Sequence, residues 1–374
     1  MASCSVVGLM LCGFAACAAS PGQPADPSST GAATPGRAAS SAARQGLEQL
    51  CFGHPGAPTD ALLVYHRGRL ALARYEAPRG DPRKRHLAWS VTKTVFAAWL
   101  GYLERRGEFR RDMTVCDAFP DTLRRDERFC SITAQNLLEM SSGLDWKEQY
   151  EDAASLEQSS VVRMLYGGGI EDAPQFVLTH TPGFPPGQRW SYSSGDAVLL
   201  SGLVHQALGE PRYRRSFFEE FLPEIGAPSA TLETDRAGNF VASSYLHVTA
   251  EELAQFGLWL LREYRAPRAL PPGWLEHALQ PVPALHRAES TVAPQESYGW
   301  YFWLNKPVPE KHGAQRPWPA APVDAFAALG YWGQKLFVIP SEDVVIVRFG
   351  EDGASYLDND QLLAAALRLT RGER

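Results

Sequence analysis

Apolar residues recur at two different spacings along the chain, and these spacings separate strand-like from helix-like segments. Two apolar runs flank a polar turn within residues 61–75, which predicts an antiparallel β-hairpin. Residues 86–100 predict one helix, because apolar positions recur there at helical spacing. This helix has Ser90 in its first turn and is expected to end at Gly107.

The middle of the chain has helical patterns that are interrupted by loops rich in proline and glycine. A short helix is predicted at residues 133–140, and another at residues 197–207 with Asp196 as its N-cap. Thr249 and Glu252 have the spacing of a capping box before a third helix.

Strand-like runs return in the last quarter of the chain and are followed by one closing helix. The runs cover residues 298–304, 326–329, 334–339 and 344–349, and the helix covers residues 358–370. Because short turns separate the runs, we expect antiparallel pairing, and the N-terminal hairpin most simply completes the same sheet. The sequence therefore predicts an α/β fold of the α+β kind, an antiparallel sheet flanked by helices with an inserted, mainly helical domain. The sheet domain is expected to comprise residues 46–109 and 284–374, and the helical domain residues 110–283.

The composition is that of an ordinary globular protein, with 45% hydrophobic and 21% charged residues. A formal net charge of −6 provides no basic surface, so a nucleic-acid partner is not expected. The sequence contains no Gly-x-Ser-x-Gly elbow, no His-Glu-x-x-His pair and no Gly-rich phosphate loop with a lysine. We expect neither a metal nor a cofactor.

Residues 1–17 contain a short apolar run that is typical of a signal sequence rather than a membrane span. The run ends in Phe-Ala-Ala-Cys, which resembles a bacterial lipoprotein box in which Cys17 is lipidated after cleavage. Cleavage further along the chain, at an Ala-x-Ala site, is the alternative. Residues 18–45 are rich in small residues and predict a flexible linker. We therefore expect an exported, periplasmic protein, which is anchored to the membrane if Cys17 carries a lipid.

Three cysteines follow this leader: Cys51, Cys116 and Cys130. An odd number permits at most one bridge within the chain, and a Cys116–Cys130 bridge would close a short loop in an oxidising compartment. Three unpaired, buried thiols are the alternative.

Ser90 and Lys93 are the candidate chemical centre. A spacing of three residues places both side chains on one face of a helix, within hydrogen-bond reach. A serine hydroxyl is a poor nucleophile until a base accepts its proton, and a lysine can be that base when burial lowers its pKa. The motif alone is weak evidence, because chance gives about 0.4 Ser-x-x-Lys matches in a chain of this composition. An N-capping serine followed by a solvated lysine has the same pattern.

Three further segments accompany this pair, at residues 137–146, 190–196 and 328–334. In this order and at these separations, the chain resembles the serine β-lactamase and penicillin-binding-protein superfamily. The closer resemblance is to its branch of esterases and 6-aminohexanoate-oligomer hydrolases. The resemblance spans residues 60–350 and implies a β-lactamase/transpeptidase-like fold.

The resemblance also implies a role for each matching residue. Ser90 and Lys93 match the family's Ser-x-x-Lys pair, and Tyr192 matches the tyrosine of its Tyr-x-Asn motif. The backbone N–H groups of Ser90 and Tyr331 are the expected oxyanion hole. Lys93 and Tyr192 would deprotonate Ser90, and Tyr192, kept phenolate-like by the lysine, would then activate water for deacylation. The residues expected to bind substrate are Asp145, Trp146, Ser194, Gly330 and Trp332.

Structural interpretations stand beside these roles. A core aromatic with a satisfied hydroxyl is the alternative for Tyr192. A turn carboxylate is the alternative for Asp145, and packed or rim indoles are the alternatives for Trp146 and Trp332. Asp196 is expected to cap its helix rather than to act as an acid.

Two positions depart from the β-lactamase pattern. Ser194 stands where β-lactamases have an asparagine that holds the amide of the β-lactam side chain. Ala328 stands where they have a lysine or histidine that helps to bind the β-lactam carboxylate. Loss of that cation favours a hydrolase of small esters or amides with negligible β-lactam turnover. A peptidase or transpeptidase of cell-wall D-amino-acid peptides and a non-catalytic binding relative are the alternatives.

Overall fold

A computed structural model of the protein describes residues 35–150, 158–290, 296–353 and 355–372. The predicted leader and the first part of the predicted linker, residues 1–34, lie outside the described residues. The linker prediction is wrong for residues 35–45, which form the first half of a helix. Leu47 and Cys51, in the later part of the same helix, are fully buried. Their packing stabilises the helix, so its first residues are helical although they are mostly small.

The described residues form short strands and helices of very different lengths. The strands are β1 (Thr59–His66), β2 (Arg69–Tyr75), β3 (Arg85–Leu87), β4 (Thr231–Leu232), β5 (Leu246–Thr249), β6 (Trp303–Leu304), β7 (Phe326–Gly330), β8 (Gln334–Ile339) and β9 (Val344–Gly350). The helices are α1 (Pro35–Phe52), α2 (Val91–Arg105), α3 (Val115–Ala118), α4 (Thr122–Arg125), α5 (Ala134–Leu138), α6 (Ser160–Tyr166), α7 (Ala173–Val177), α8 (Ser194–Leu208), α9 (Glu210–Arg215), α10 (Leu222–Glu224), α11 (Ala250–Arg265), α12 (Trp274–Ala278), α13 (Pro309–His312) and α14 (Asn359–Gly372). None of the helices in these ranges is both long and apolar enough to cross a membrane.

Six strands form one antiparallel sheet in the order β2-β1-β9-β8-β7-β6. Strand β1 pairs with β2 on one side and with β9 on the other, so Leu63 lies opposite both Ala73 and Val347. The predicted hairpin and its place in the later sheet are therefore confirmed. A second sheet, β3-β5-β4, was not predicted, because its strands are only two to four residues long.

Helices cover both faces of the large sheet. Helices α1 and α14 pack together on one face, while α2 and α11 contact the other. Helix α11 approaches the sheet closely, since a Cβ added at Gly257 would lie 2.6 Å from Val345. The predicted boundary of the helical domain at residue 283 is therefore wrong, because α11 lies before it and belongs to the layer on the sheet.

Two other predicted elements have different boundaries in the structure. The helix predicted over residues 86–100 begins at Val91, because residues before it form β3 and a turn. Most of the strand predicted over residues 298–304 is a turn, in which Tyr301 has a φ of +62°. A Cβ added at Gly299 would lie 2.0 Å from the backbone oxygen of Ala278, so this turn packs directly against the end of helix α12.

Three local predictions about caps and cysteines are resolved by the structure. Thr249 and Glu252 form the predicted capping box at the start of α11. Helix α8 begins earlier than predicted, and Ser193 rather than Asp196 is its N-cap. Cys116 and Cys130 form a disulfide, so the alternative of three unpaired thiols is excluded.

Candidate active site

Ser90 lies at the junction between the small sheet and the buried helix α2. Strand β3 ends at Leu87, a tight turn follows, and Ser90 is the half-buried N-cap of α2. The turn requires Trp89 to adopt a φ of +48°, in the left-handed region. The Thr92 hydroxyl accepts a hydrogen bond of 3.1 Å from the N–H of Leu246 in β5, which fixes the start of α2 to the small sheet.

Lys93 is fully buried one turn further along α2. Its Nζ lies within hydrogen-bond distance of three oxygens: Ser90 Oγ at 3.0 Å, Ser194 Oγ at 3.1 Å and the backbone oxygen of Ser243 at 3.0 Å. Burial lowers the pKa of Lys93 to about 8, while the negative charge of Glu148 acts in the opposite direction. This shift makes the neutral amine, which a general base requires, more accessible near neutral pH than that of an ordinary lysine.

Tyr192 joins the same centre from the loop before α8. The Nζ of Lys93 lies 4.9 Å from the centroid of its ring, and the ring stacks on Trp303 with centroids 5.7 Å apart. Burial raises the pKa of Tyr192, although its hydrogen bond with the Ser90 hydroxyl acts in the opposite direction. The expectation of a phenolate-like Tyr192 is therefore wrong, because burial favours the neutral phenol.

The turn after β7 faces the turn that carries Ser90. A Cβ added at Gly330 would lie 2.3 Å from the backbone oxygen of Ala88, so only glycine permits this close approach. Tyr331 follows directly in a short 3₁₀ turn, and its ring stacks on Trp332 with centroids 5.3 Å apart. Trp332 is 45% exposed and lies at the outer edge of this group.

Glu148 is a site residue that the sequence did not reveal. Its Oε2 accepts from Trp146 Nε1 at 2.6 Å and from the N–H of Ser194 at 2.9 Å. Its Oε1 accepts from Ser194 Oγ at 2.6 Å and from the Tyr150 hydroxyl at 2.5 Å. Tyr150 in turn stacks on Tyr331, with centroids 5.4 Å apart. A carboxylate two residues after Trp146 was visible in the sequence, but no spacing rule connects residue 148 with residue 194.

The remaining predicted substrate residues lie in two different places. Ser194 is fully buried against Lys93, and Trp146 is buried with a ring atom 2.7 Å from the position of a Cβ added at Gly195. Trp146 thus supports the wall of the site from behind. Asp145 is exposed and, together with the other side of Trp146, lines a separate cavity of about 370 Å³ beside the start of α8.

Asp196 lies below this second cavity. It accepts hydrogen bonds from the hydroxyls of Ser142 at 2.8 Å and Ser193 at 2.9 Å. Burial raises its pKa to about 7. Among the described residues, the lining of the cavity includes Asp196 but none of Ser90, Lys93 and Tyr192, so this carboxylate stabilises the start of α8.

The second departure from the β-lactamase pattern is also visible in the structure. Ala328 is buried in β7, opposite Leu336 of β8. Its methyl group supplies no positive charge to the neighbouring turn that holds Gly330. The amine that contacts Ser90 is that of Lys93, within helix α2.

A serine and a buried lysine thus lie on one helix turn, with a tyrosine beside them and a glycine-dependent turn opposite, which is the arrangement expected of the serine β-lactamase and penicillin-binding-protein superfamily. The family model for beta-lactamase matches residues 41–366, and the chain belongs to that family. It is similar to the 6-aminohexanoate-dimer hydrolase of Paenarthrobacter ureafaciens, with 26% identity over 314 residues that cover 81% of this chain and 74% of that protein.

Solved structures agree on the fold. A β-lactamase from Mycobacterium bovis is 18% identical, with a TM-score of 0.60 and coverage of 87% of this chain and 98% of that one. A penicillin-binding-protein homologue from Caulobacter crescentus is 16% identical, with a TM-score of 0.61 and coverage of 89% and 97%. The predicted β-lactamase/transpeptidase-like fold is therefore confirmed.

Proposed function

We propose that this protein forms an acyl-enzyme on Ser90 and hydrolyses small esters or amides. The observation that carries the proposal is the hydrogen bond of 3.0 Å between Ser90 Oγ and Nζ of the fully buried Lys93. An amine with a pKa of about 8 is a base suited to neutral solution, and it lies at the one place where it can take the proton of Ser90.

The reaction has two acyl-transfer steps. Ser90 Oγ attacks the carbonyl carbon of the substrate while its proton passes to Lys93, and the N–H groups of Ser90 and Tyr331 stabilise the oxyanion. The neutral phenol of Tyr192 relays a proton to the departing alcohol or amine, and the acyl-enzyme remains. Water then attacks the acyl carbon and gives its proton to the Lys93–Tyr192 pair. The bond between the acyl carbon and Ser90 Oγ breaks, the pair returns the proton to Ser90 Oγ, and the acid is released.

Neutral amides and esters suit this site better than anionic β-lactams. Ala328 supplies no cation for a carboxylate, and the stacked rings of Tyr150, Tyr331 and Trp332 form an apolar side. The relative from Paenarthrobacter ureafaciens is named for hydrolysis of a 6-aminohexanoate dimer, which supports including amide oligomers among the substrates to be tested.

Fluorophosphonate labelling tests the nucleophile without knowledge of the substrate. We expect the wild-type protein to be labelled and Ser90→Ala to be unlabelled, whereas Ser341→Ala, at an exposed serine bound to Asp324, should react like the wild type. A folded wild-type protein that is never labelled would refute the enzyme proposal in favour of a binding relative. A panel of p-nitrophenyl esters beside short amide oligomers then defines the substrate, and cleavage of D-amino-acid peptides would instead support the cell-wall peptidase alternative.

Export and membrane anchoring remain a separate proposal, because Cys17 lies outside the described residues. We infer that the chain is exported to the periplasm and that Cys17 carries a lipid. Metabolic labelling with an alkyne fatty acid should mark the wild-type chain and not Cys17→Ser. Export with cleavage and no label would favour the Ala-x-Ala alternative.

A further inference from the structure

The carboxylate of Glu148 has no acceptor position left for a substrate. Each of its oxygens accepts two hydrogen bonds. Oε2 accepts from the indole of Trp146 and the backbone N–H of Ser194, and Oε1 accepts from the hydroxyls of Tyr150 and Ser194. An ionised carboxylate offers about four acceptor positions, so all of them are occupied. Glu148 therefore acts on the site through the groups that it holds, and Ser194 is the one that also contacts Lys93.

We propose that Glu148 is a positioning residue that directs the lone pair of Lys93 to Ser90 by binding the proton of the Ser194 hydroxyl. The proposal rests on the proposed function, because it concerns the lysine as the base for Ser90. Ser194 contacts Lys93 directly, and Glu148 determines whether the Ser194 hydroxyl donates or accepts in that contact.

The hydrogen atoms around Lys93 determine which oxygen its lone pair faces. A neutral amine has two N–H groups and one lone pair, and three oxygens surround it, those of Ser90, Ser194 and Ser243. The backbone oxygen of Ser243 can only accept, so it takes one N–H. The lone pair must then face one of two hydroxyls, and the other hydroxyl must accept the second N–H. Because Ser194 Oγ donates its proton to Glu148, it can only accept from Lys93, and the lone pair is left for Ser90.

The charge of Glu148 has a second effect on the same lysine. Burial lowers the pKa of Lys93, and the negative charge of Glu148 raises it in return. Among the described residues, the phenols of Tyr192 and Tyr150 also face this centre, and Asp196 and Tyr298 lie close enough to interact with the charge of Glu148. Glu148→Gln should therefore lower the pKa of Lys93 further. More of the lysine would be neutral at neutral pH, although less of it would have its lone pair aimed at Ser90.

Glu148→Gln is a nearly isosteric change that separates these effects from a loss of structure. The indole N–H of Trp146 and the backbone N–H of Ser194 can only donate, so the glutamine oxygen must face them. The glutamine NH₂ group then faces the hydroxyls of Ser194 and Tyr150, which are able to accept. The hydrogen bonds of residue 148 with its neighbours are therefore retained. The proton of the Ser194 hydroxyl, however, is no longer bound by a carboxylate and competes with that of Ser90 for the lone pair of Lys93.

The experiment measures the rate of fluorophosphonate inactivation against pH for four proteins: wild type, Glu148→Gln, Ser194→Ala and the double variant. In Glu148→Gln we expect the acid limb to move to lower pH by about half a unit or more. We also expect its plateau to fall by about tenfold or more, and further than that of Ser194→Ala, which has no competing proton. The plateau of the double variant should match that of Ser194→Ala, because Glu148 acts through this hydroxyl. Glu139→Gln, at a partly buried carboxylate bound to Gln135, is the matched control and should not move the limb.

An unmoved acid limb in Glu148→Gln, or independent losses that multiply in the double variant, would overturn the proposal. A second readout keeps the proposal distinct from the proposed function. The chain has six lysines, so ¹³Cε-lysine NMR can follow Lys93, assigned with Lys93→Met. A wild-type protein that is never labelled rejects the proposed hydrolase, whereas an unchanged Lys93 titration in Glu148→Gln rejects the role of Glu148.

Discussion

Lys93 should make the stability of this fold depend on pH in a way that can be measured without any substrate. Burial lowers its pKa from 10.5 to about 8, so the folded chain loses this proton at a pH about 2.5 units lower than the unfolded chain does. Lys93→Met removes the titration and keeps a side chain of similar length and apolar character. The difference in stability between the two proteins therefore reports on this one amine.

The sign follows from which state binds the proton. Between pH 8 and 10.5 the unfolded wild-type chain is protonated at Lys93 and the folded chain is not, so wild-type stability rises with pH relative to Lys93→Met. The slope is about 1.4 kcal/mol per pH unit, and the whole interval is worth about 3 kcal/mol. Below pH 8 the amine is charged in both states, and the penalty for burying that charge is present in full. Because Lys93 is fully buried, solvent screening does not reduce this value.

Urea unfolding of both proteins, measured from below pH 8 up to pH 10.5, gives the difference directly. Other titrating groups are common to the two chains and cancel in the difference. Lys147→Met, at an exposed lysine, is the control and should follow the wild type across the range. Stability profiles of wild type and Lys93→Met that run parallel over this interval would show that Lys93 has an ordinary pKa, and the general-base argument would lose its basis.

Three further predictions concern the reaction itself. Gly330→Ala should lower kcat/KM by about 10²–10³-fold, the effect of losing one oxyanion donor, because its Cβ would lie 2.3 Å from the Ala88 oxygen and displace the turn; Gly168→Ala, where a Cβ meets nothing within 4 Å, should be active. Tyr192→Phe should abolish turnover with an unchanged thermal unfolding curve, and an active, folded variant would remove the phenol from the proton path. A chromogenic cephalosporin should be turned over negligibly, because Ala328 supplies no cation, and rapid turnover would show that inference to be mistaken.

Sequence patterns correctly predicted the strands and helices whose apolar residues recur at a regular spacing and whose ends are marked by turn or capping residues. The hairpin β1–β2, the strands β7 to β9 and the capping box of Thr249 and Glu252 all follow from local residue types. The strand predicted at residues 298–304 failed because its aromatic residues satisfy strand propensity, yet the chain turns there to pack Gly299 against the backbone of Ala278. Tertiary packing therefore overrides propensity in this segment.

In the candidate site, too, contacts between residues close in sequence could be predicted, whereas contacts between distant residues could not. Ser90 and Lys93 are close because one helix turn places them together, so their spacing predicts their contact. Glu148 contacts Ser194 across 46 residues, and nothing in either neighbourhood specifies the pairing. The protonation of Tyr192 depends on burial among aromatic rings, which motif matching does not describe. The sequence therefore indicated several of the site residues. It did not indicate which distant residues contact each other, or how strongly burial favours the uncharged form of each group.

The backbone beside the expected oxyanion hole is strained at two tryptophans. Trp89, with a φ of +48°, precedes Ser90, and Trp332, with a φ of +58°, follows Tyr331. A bulky residue pays about 1–3 kcal/mol for such a conformation, which glycine would avoid. The two indoles meet edge to face with centroids 6.0 Å apart, and the Trp89 indole also meets the ring of Tyr331 at 5.7 Å. Glycine would lose these contacts, each worth about 0.5–1.5 kcal/mol. The aromatic contacts therefore offset much of the strain and hold the two turns together, so the N–H groups of Ser90 and Tyr331 keep a fixed separation before any substrate arrives.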